Sequence, residues 1–297
     1  MPNFFIIGAP KCGTTSLANW LAEHPQVFFS SKKEPHFFSE ELDAGQSYRS
    51  YEKLFRNAKA EHLAVGEGST SYLYSSKAVP RILEYAPDAK FIVCLRNPVE
   101  LVHAWHAQLV NDGLENETDF ETAWRLQSSR KAGKNIPASA RGKPHRLYYA
   151  DQCMLGSLLE QVYQHVPNDR VLPILLDDMK QDAGAAYRQC LSFLGLRDDG
   201  RSAFPVRNAA QKARNPWLAR SMRLAAELKK KAGIRRSLGV ASAVAQRNVV
   251  PQSREPISDD MHAELVAWFR DDIDKLQALL GRDLSHWVDD VPRRTGT

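Results

Sequence analysis

The sequence predicts an α/β protein with a phosphate-loop-type parallel β-sheet and helices on both faces, and three observations support this. Short apolar runs such as KFIVCL at Lys90–Leu95 alternate with segments of helical spacing, as in parallel sheets whose strands are buried on both faces. A glycine-rich turn, Gly8–Ser16, separates the first apolar run from the first helical segment. The 297 residues are enough for one such domain with insertions.

Each element follows from the spacing of apolar residues and from turn signals. The predicted strands are Asn3–Gly8, Val27–Ser30, Leu63–Glu67, Lys90–Leu95 and Arg170–Leu176. The predicted helices are Thr14–Glu23, Tyr48–Phe55, Ala78–Tyr85, Pro98–Val110, Phe120–Gln127, Tyr149–Val166 and Ala183–Leu194, the last closed by Gly195. The acidic stretch Glu255–Asp290 is interpreted as the solvated face of a further helical segment.

We expect a single domain over residues 1–297 with two unusual segments. Residues 111–147 are polar and rich in glycine and proline, which is typical of a substrate-binding loop. Residues 207–236 contain ten Lys or Arg against one acid, which favours either an anion-binding surface or a charged, exposed helix. Nucleic acid is not expected as a partner, because aromatic residues for stacking are scarce in that basic segment.

Cysteine usage and hydropathy predict a cytoplasmic protein. The four cysteines form no C-x-x-C pair, so neither a disulfide framework nor a zinc site is expected. The sequence contains no signal-peptide pattern and no apolar run near the roughly 18 residues that span a bilayer. We therefore expect no integral membrane segment and no bound metal.

The segment GAPKCGTTS, Gly8–Ser16, has the context of a phosphate-binding loop. It follows a strand and opens a helix, so that backbone amides and the positive end of the helix dipole face an anion. The glycine spacing equals that of a Walker A loop, but Thr14 occupies the lysine position and Lys11 lies inside the loop. A triphosphatase also needs a magnesium-binding acid after another strand, whereas KFIVCL is followed by Arg96.

This loop resembles that of the PAPS-dependent sulfotransferases, where PAPS is 3′-phosphoadenosine-5′-phosphosulfate. The resemblance is to the heparan sulfate sulfotransferase branch and its bacterial relatives, whose loop reads PKxGTTxL. It implies that PAPS is the co-substrate, that 3′,5′-ADP is the product and that no metal is required. It also implies that Lys11 stabilises the leaving phosphate. The residues that would hold the 5′-phosphate by amide or hydroxyl groups are Cys12, Gly13, Thr14, Thr15 and Ser16.

The 3′-phosphate site is implied by a second match. The segment KFIVCLRNPVELVHAWH resembles the family's strand and RNP helix, so Arg96 would bind the 3′-phosphate. The family's second phosphate ligand is a serine, and this chain has Ala104 there. Further along, RNAAQKARNPWL resembles a late basic loop, in which Lys212 and Arg214 would close over the adenosine phosphate.

The acceptor side is implied by two shorter matches. In KKEPHFF, Glu34 matches the catalytic base of heparan-type enzymes and His36 would orient the acceptor, although a histidine base at His36 stays an alternative. Glu67 matches a glutamate beside the substrate, and a strand-end residue hydrogen-bonded to a loop is an equally good interpretation. Gly68 replaces a lysine of the family, which argues against a heparan-like acceptor.

The predicted function is sulfuryl transfer from PAPS to a hydroxyl or amine of a carbohydrate, lipid or other small acceptor. The alternatives are a P-loop small-molecule kinase and a non-catalytic protein that binds a nucleotide or a sulfated ligand. The missing Walker lysine argues against the kinase. The joint presence of Lys11, Glu34 and Arg96 argues against the binding protein.

Overall fold

The central sheet has five parallel strands. The computed structural model describes residues 1–39, 47–206 and 256–289, together with the backbone of 211–213 and 249–251. The strands of the sheet are β1 (Phe4–Gly8), β2 (Val27–Phe29), β3 (Ala64–Gly68), β4 (Lys90–Leu95) and β5 (Val171–Leu175). Their spatial order is β2-β3-β1-β4-β5, and every pairing is parallel. The five predicted strands and the α/β fold class are confirmed.

Most helices lie where the hydrophobic spacing predicts them. They are α1 (Thr14–Ala22), α2 (Tyr48–Glu52), α3 (Ala78–Tyr85), α4 (Pro98–Asn111), α5 (Phe120–Arg125), α6 (Gln127–Lys131), α7 (Tyr149–Cys153), α8 (Leu155–Tyr163), α9 (Leu176–Gln181), α10 (Ala183–Leu194), α11 (Asp259–Leu280) and α12 (His286–Asp289). Gly195 ends α10 in a left-handed conformation, which glycine adopts at little cost. In the described ranges, no helix is long and apolar enough to cross a membrane.

The prediction of a single helix over Tyr149–Val166 is wrong, because the structure has two helices, α7 and α8, which are separated at Met154. The first amides of α8 are capped by α11: Asp272 accepts from the amides of Gly156 and Ser157, each at 2.8 Å. A β-carbon on Gly156 would lie 2.3 Å from the carbonyl oxygen of Asp272, so the close helix contact requires glycine there. This contact joins distant parts of the sequence, and local spacing does not reveal it.

The carboxyl ends of β1, β3 and β4 lie side by side because β1 occupies the centre of the sheet. Ile6 is in register with Gly68 of β3, and Gly8 with Val93 of β4. All five residues of β1 are buried. Ligands of open parallel sheets bind at this edge, where the strand order reverses.

The chain divides into two compact units. The first comprises Met1–Trp105, Tyr148–Arg207 and Ser258–Thr297 and contains the sheet. The second comprises His106–Leu147 and Asn208–Ile257. It includes α5, α6 and an antiparallel pair, β6 (Gln211–Ala213) and β7 (Val249–Pro251). It therefore contains the predicted insertion and most of the basic segment, and the single-domain organisation stays a prediction.

A buried ion pair organises residues 111–147. Arg130 has no exposed surface, and its two terminal nitrogens lie 2.7 and 2.9 Å from the carboxylate oxygens of Glu115. Glu115 also accepts from the amides of Asn116 and Glu117, each at 2.8 Å. A buried charge needs such partners to offset its lost hydration. This segment, predicted mainly as a loop, therefore has a packed centre of its own.

Candidate active site

The loop that follows β1 has an unusual backbone. Lys11 and Gly13 are both left-handed, with φ of 65° and 86°. Gly13 is the N-cap of α1, and no acidic residue lies in the first turn of that helix. Because a glycine cap has no side chain to accept from the first-turn amides, those donors and the helix dipole favour an anion at this position.

Two glycines allow neighbouring elements to pack closely on the loop. A β-carbon at Gly8 would lie 2.8 Å from Cβ of Leu73, which belongs to a 3₁₀ turn after β3. One at Gly13 would lie 3.0 Å from Leu176 and 3.1 Å from Met179 of α9. The loop therefore packs against the 3₁₀ turn that follows β3 and against α9, a helix that was not predicted from the sequence.

Arg96 connects the loop to the end of β4. Its Nη1 donates to the carbonyl oxygen of Lys11 at 3.3 Å. Its Nε and Nη2 donate to Glu100 of α4, at 3.0 and 2.5 Å. The Arg96 side chain is 12% exposed and that of Glu100 is 49% exposed. A phosphate that binds Arg96 must therefore share the guanidinium with Glu100 or displace its carboxylate.

The other predicted donor contacts have different surroundings. Cys12 is fully buried, and this burial raises the pKa of its thiol to about 12, so the thiol is neutral. Ala104 is 1% exposed. Its place at the serine position of the 3′-phosphate site therefore stays a prediction. Lys212 is described by its backbone alone and Arg214 lies outside the described residues, so both stay predictions.

The side chains of Glu34 and His36 lie next to each other. Glu34 Oε2 is 3.3 Å from His36 Nε2, and the two side chains are 32% and 35% exposed. Nδ1 of His36 is 2.7 Å from the hydroxyl of Ser71. Both residues have left-handed backbones, with φ of 48° and 54°. Such conformations cost about 1–3 kcal/mol each and are concentrated at functional sites.

The segment that carries this pair is fixed to the carboxyl edge of the sheet. The His36 amide donates to the Ser69 hydroxyl at 3.0 Å. Ser69 follows β3, and its own amide donates to the Ile6 carbonyl of β1, also at 3.0 Å. Leu73 of the next turn packs on Gly8. The predicted base and the predicted donor loop are therefore attached to adjoining strands at one edge.

Glu67 is fully buried near the end of β3. Its carboxylate accepts from the hydroxyls of Tyr51, Ser69 and Tyr72, at 3.1, 2.7 and 2.6 Å. Burial raises its pKa to about 7, although these hydrogen bonds and His36 act in the opposite direction. The burial favours the strand-end interpretation over direct contact with an acceptor. A β-carbon on the adjacent Gly68 would make only an ordinary contact, at 3.5 Å from Ile6.

Several residues that surround the predicted site residues were not identified from the sequence. They are Tyr51, Ser69, Ser71, Tyr72 and Glu100, which contact Glu67, His36 or Arg96. For Ser69, Ser71 and Tyr72, the signal that was available is the run of hydroxyl residues in GEGSTSYLY. Their assignment needed three-dimensional contacts, since Ser and Tyr also occur commonly in surface turns.

The chain has a P-loop-type α/β fold, with a glycine-capped loop after β1, an arginine after the adjacent strand β4 and an acid beside an imidazole. The family profile described as the sulfotransferase domain matches residues 1–237. The chain therefore belongs to the sulfotransferase family, and the resemblance inferred from the sequence is confirmed.

Individual sulfotransferases show the same similarity. A crystal structure of a sulfotransferase from Alicyclobacillus acidocaldarius superposes with a TM-score of 0.69 at 27% identity, covering 97% of this chain and 98% of the other. Human heparan sulfate glucosamine 3-O-sulfotransferase 3B1 is 26% identical over 197 residues, 66% of this chain and 47% of that protein. Membrane-associated sulfotransferase kil1 of Dictyostelium discoideum is 35% identical over 101 residues, 34% of this chain. The chain spans 47% and 21% of the lengths of these two curated relatives.

Proposed function

We propose that the protein transfers a sulfuryl group from PAPS to a hydroxyl or amine of a carbohydrate, lipid or other small acceptor and releases 3′,5′-ADP. The observation that carries the proposal is the placement of Lys11. It lies inside a glycine-capped anion loop, and its carbonyl accepts from Arg96 at the end of the neighbouring strand. Family membership over residues 1–237 supports the same reaction class.

The donor is proposed to bind along this edge of the sheet. The amides of residues 12–16 and the hydroxyls of Thr14, Thr15 and Ser16 hold the 5′-phosphosulfate, because a helix N-terminus stabilises negative charge. Arg96 binds the 3′-phosphate by charge-assisted hydrogen bonds. Lys212 and Arg214 are proposed to cover the adenosine phosphate from the basic segment.

The chemical step is an in-line displacement at sulfur. The acceptor oxygen or nitrogen forms a bond to sulfur while the bond from sulfur to the 5′-phosphate oxygen breaks, and the electron pair leaves with 3′,5′-ADP. Glu34 takes the acceptor proton as general base. His36 is proposed to orient the acceptor and, 3.3 Å from Glu34, to orient that carboxylate as well. Lys11 and the loop amides stabilise the charge that develops on the leaving phosphate, so the step needs no divalent metal.

The acceptor is proposed to be less acidic than heparan sulfate. Gly68 follows Glu67 where heparan-type enzymes have a lysine, so this chain lacks one cation that would bind an acidic sugar. A β-carbon at this position makes only an ordinary contact, so packing does not require glycine. We therefore attribute glycine in place of lysine at position 68 to the kind of acceptor that the protein binds.

Transfer from radiolabelled PAPS to a panel of acceptors tests the proposed function. The panel contains neutral sugars, acidic glycans, lipid hydroxyls and amines, and Lys11→Ala is the control. We expect labelled product with at least one acceptor, with neutral acceptors favoured, and far less product from the control. No release of 3′,5′-ADP with any acceptor, combined with phosphate transfer from ATP, would overturn the proposal.

A further inference from the structure

The buried carboxylate of Glu67 belongs to a hydrogen-bond network that extends beyond the end of β3. It accepts hydrogen bonds from the hydroxyls of Ser69 and Tyr72. The oxygens of these two hydroxyls in turn accept hydrogen bonds from backbone amides of residues 34–38, the segment that carries Glu34 and His36. The Ser69 oxygen accepts from the His36 amide at 3.0 Å. The Tyr72 oxygen accepts from the Phe38 amide at 3.3 Å. Two hydrogen-bond relays, each through one hydroxyl, therefore connect the Glu67 carboxylate to the backbone amides of His36 and Phe38.

The direction of both relays follows from hydrogen-bond chemistry. A hydroxyl has one hydrogen to donate, and an ionised carboxylate only accepts. Because the hydroxyls of Ser69 and Tyr72 donate their hydrogen bonds to Glu67, the lone pairs of these oxygens remain to accept from the amides. An amide side chain in place of Glu67 would donate to one hydroxyl and reverse that relay.

The segment has a reason to need such support. His36 holds a left-handed backbone with φ of 54°, which neighbouring contacts must stabilise if it is to persist. Its amide is held by Ser69, and its carbonyl oxygen accepts from the Ser39 hydroxyl at 2.9 Å. Its ring lies between Ser71 and Glu34, at 2.7 and 3.3 Å. A shift of the His36 backbone therefore moves the group that orients the base.

We propose that Glu67 is a positioning residue of the reaction, which acts through Ser69 and Tyr72 on the amides of His36 and Phe38 and so fixes Glu34 relative to the acceptor. The kinetic consequence rests on the proposed function, whereas the hydrogen-bond relays do not. Complete burial of Glu67 is consistent with action through other residues.

The third hydroxyl on Glu67 provides a matched control. Tyr51 donates to the same carboxylate oxygen as Tyr72, at 3.1 Å. In the part of the chain that the structure describes, its hydroxyl accepts no amide hydrogen from the Glu34–His36 segment. Tyr51→Phe therefore removes one hydrogen bond from Glu67 and leaves both relays intact. If Glu67 had only a structural role, loss of any one of its three hydroxyl partners, in Tyr51→Phe, Ser69→Ala or Tyr72→Phe, should have similar effects on the protein.

Residue-resolved amide hydrogen exchange of the full chain by NMR, at about pH 8, tests the relays directly. Ser69→Ala should accelerate exchange at His36 and leave Phe38 close to wild type. Tyr72→Phe should do the reverse, and Tyr51→Phe should change neither. Equal acceleration at both amides in all three variants, or acceleration at neither, would overturn the proposal. The result does not depend on any activity of the protein.

The kinetic arm separates positioning from stability. For sulfuryl transfer, Ser69→Ala and Tyr72→Phe should lower kcat by about ten-fold or more, since small misplacement of reacting groups has large effects on rate. The dissociation constant for 3′,5′-ADP should stay within about two-fold, and Tyr51→Phe should keep nearly full kcat. Loss of kcat that is equal in all three variants would contradict positioning. A wild-type protein that neither binds 3′,5′-ADP nor turns over would instead contradict the proposed function, and the exchange experiment would still decide the relays.

Discussion

Nη1 of Arg96 donates a hydrogen bond to the carbonyl oxygen of Lys11 across 3.3 Å. The residue proposed to bind the 3′-phosphate is thereby joined to the backbone of the residue proposed to stabilise the leaving 5′-phosphate. The two cations come from loops after adjacent strands, β4 and β1. This hydrogen bond joins the two parts of the proposed anion site, in which one cation is assigned to each end of the donor.

Replacement of Lys11 should remove catalysis and keep the fold. Lys11→Ala deletes the ammonium group, so we expect kcat to fall by about 10²–10³-fold, the usual loss for one charge-stabilising group. Lys11→Gly should lose the same activity. Because the backbone here has φ of 65°, the glycine variant should be more stable than the alanine variant by about 1 kcal/mol.

Turnover and thermal unfolding of the two Lys11 variants check this pair of expectations. Near-normal turnover in either variant would contradict the role of the ammonium group. A glycine variant less stable than the alanine variant would contradict the left-handed backbone at this position.

Glu34→Gln and His36→Asn distinguish the two candidates for the base. If Glu34 accepts the proton, Glu34→Gln should lower kcat by about 10²–10⁴-fold. His36→Asn should cost less, about ten-fold, because asparagine tolerates the left-handed backbone and can still donate to the carboxylate. Single-turnover rates at saturating donor measure both effects. The opposite order of losses would assign the base to His36.

Glu100 should weaken binding of the 3′-phosphate. Its carboxylate contacts Arg96 at 2.5 Å and is 49% exposed, so it competes with a phosphate for the guanidinium. Glu100→Gln should tighten 3′,5′-ADP binding by about two- to five-fold, the range of exposed ion pairs. Binding of 5′-AMP, which lacks the 3′-phosphate, should not change.

Glu160→Gln is the matched control for charge, because Glu160 is also an exposed acid with a basic partner, Lys275. Calorimetric titrations with both nucleotides compare the variants. An equal gain in Glu160→Gln would attribute the effect to overall charge. An equal gain for 5′-AMP would contradict assignment of Arg96 to the 3′-phosphate.

Burial of Glu67 should make stability depend on pH. Its pKa is raised from 4.5 to about 7, so the folded state binds this proton more tightly than the unfolded state does. The free energy of unfolding should therefore decrease as pH rises from about 4.5 to about 7 and level off above that window. Glutamine does not titrate, so the variant Glu67→Gln should not lose this stability. The difference in unfolding free energy between the variant and wild type should therefore shift by about 2–3 kcal/mol in favour of the variant as pH rises across the window.

Urea unfolding at about pH 5 and about pH 8 measures this difference. Glu61→Gln, at an exposed acid paired with Lys59, should show no comparable change between the two pH values. A pH dependence of Glu67→Gln that is parallel to that of wild type would show that Glu67 does not carry the raised pKa.

Much of the fold could be predicted from the sequence because its strands are local features. KFIVCL and the other apolar runs lie between turn signals, and a buried parallel strand needs little more than such a run. The anion loop was predictable for the same reason, since strand, glycine turn and helix are contiguous between Phe4 and Ala22. The Glu34 and His36 pair is separated by one residue, and the structure brings these two side chains together.

The remaining features depend on contacts between distant residues. Asp272 of α11 caps the first amides of α8, a contact that periodicity does not reveal, so one continuous helix was predicted. Glu67 was ambiguous because its burial follows from Tyr51, Ser69 and Tyr72, and a single carboxylate in a sequence does not indicate how many hydroxyls surround it. Likewise, the burial of Ala104 within α4 could not be read from its match to a serine position.

The central claim is that the anion loop with Lys11 inside it binds the PAPS nucleotide, and calorimetric titration tests it most directly. The wild-type protein is titrated separately with 3′,5′-ADP and with ATP in the presence of Mg²⁺, and Arg96→Met is titrated in parallel. We expect that 3′,5′-ADP binds, that ATP binds far more weakly, and that Arg96→Met loses most of the 3′,5′-ADP affinity. Binding of ATP without binding of 3′,5′-ADP would contradict the central claim.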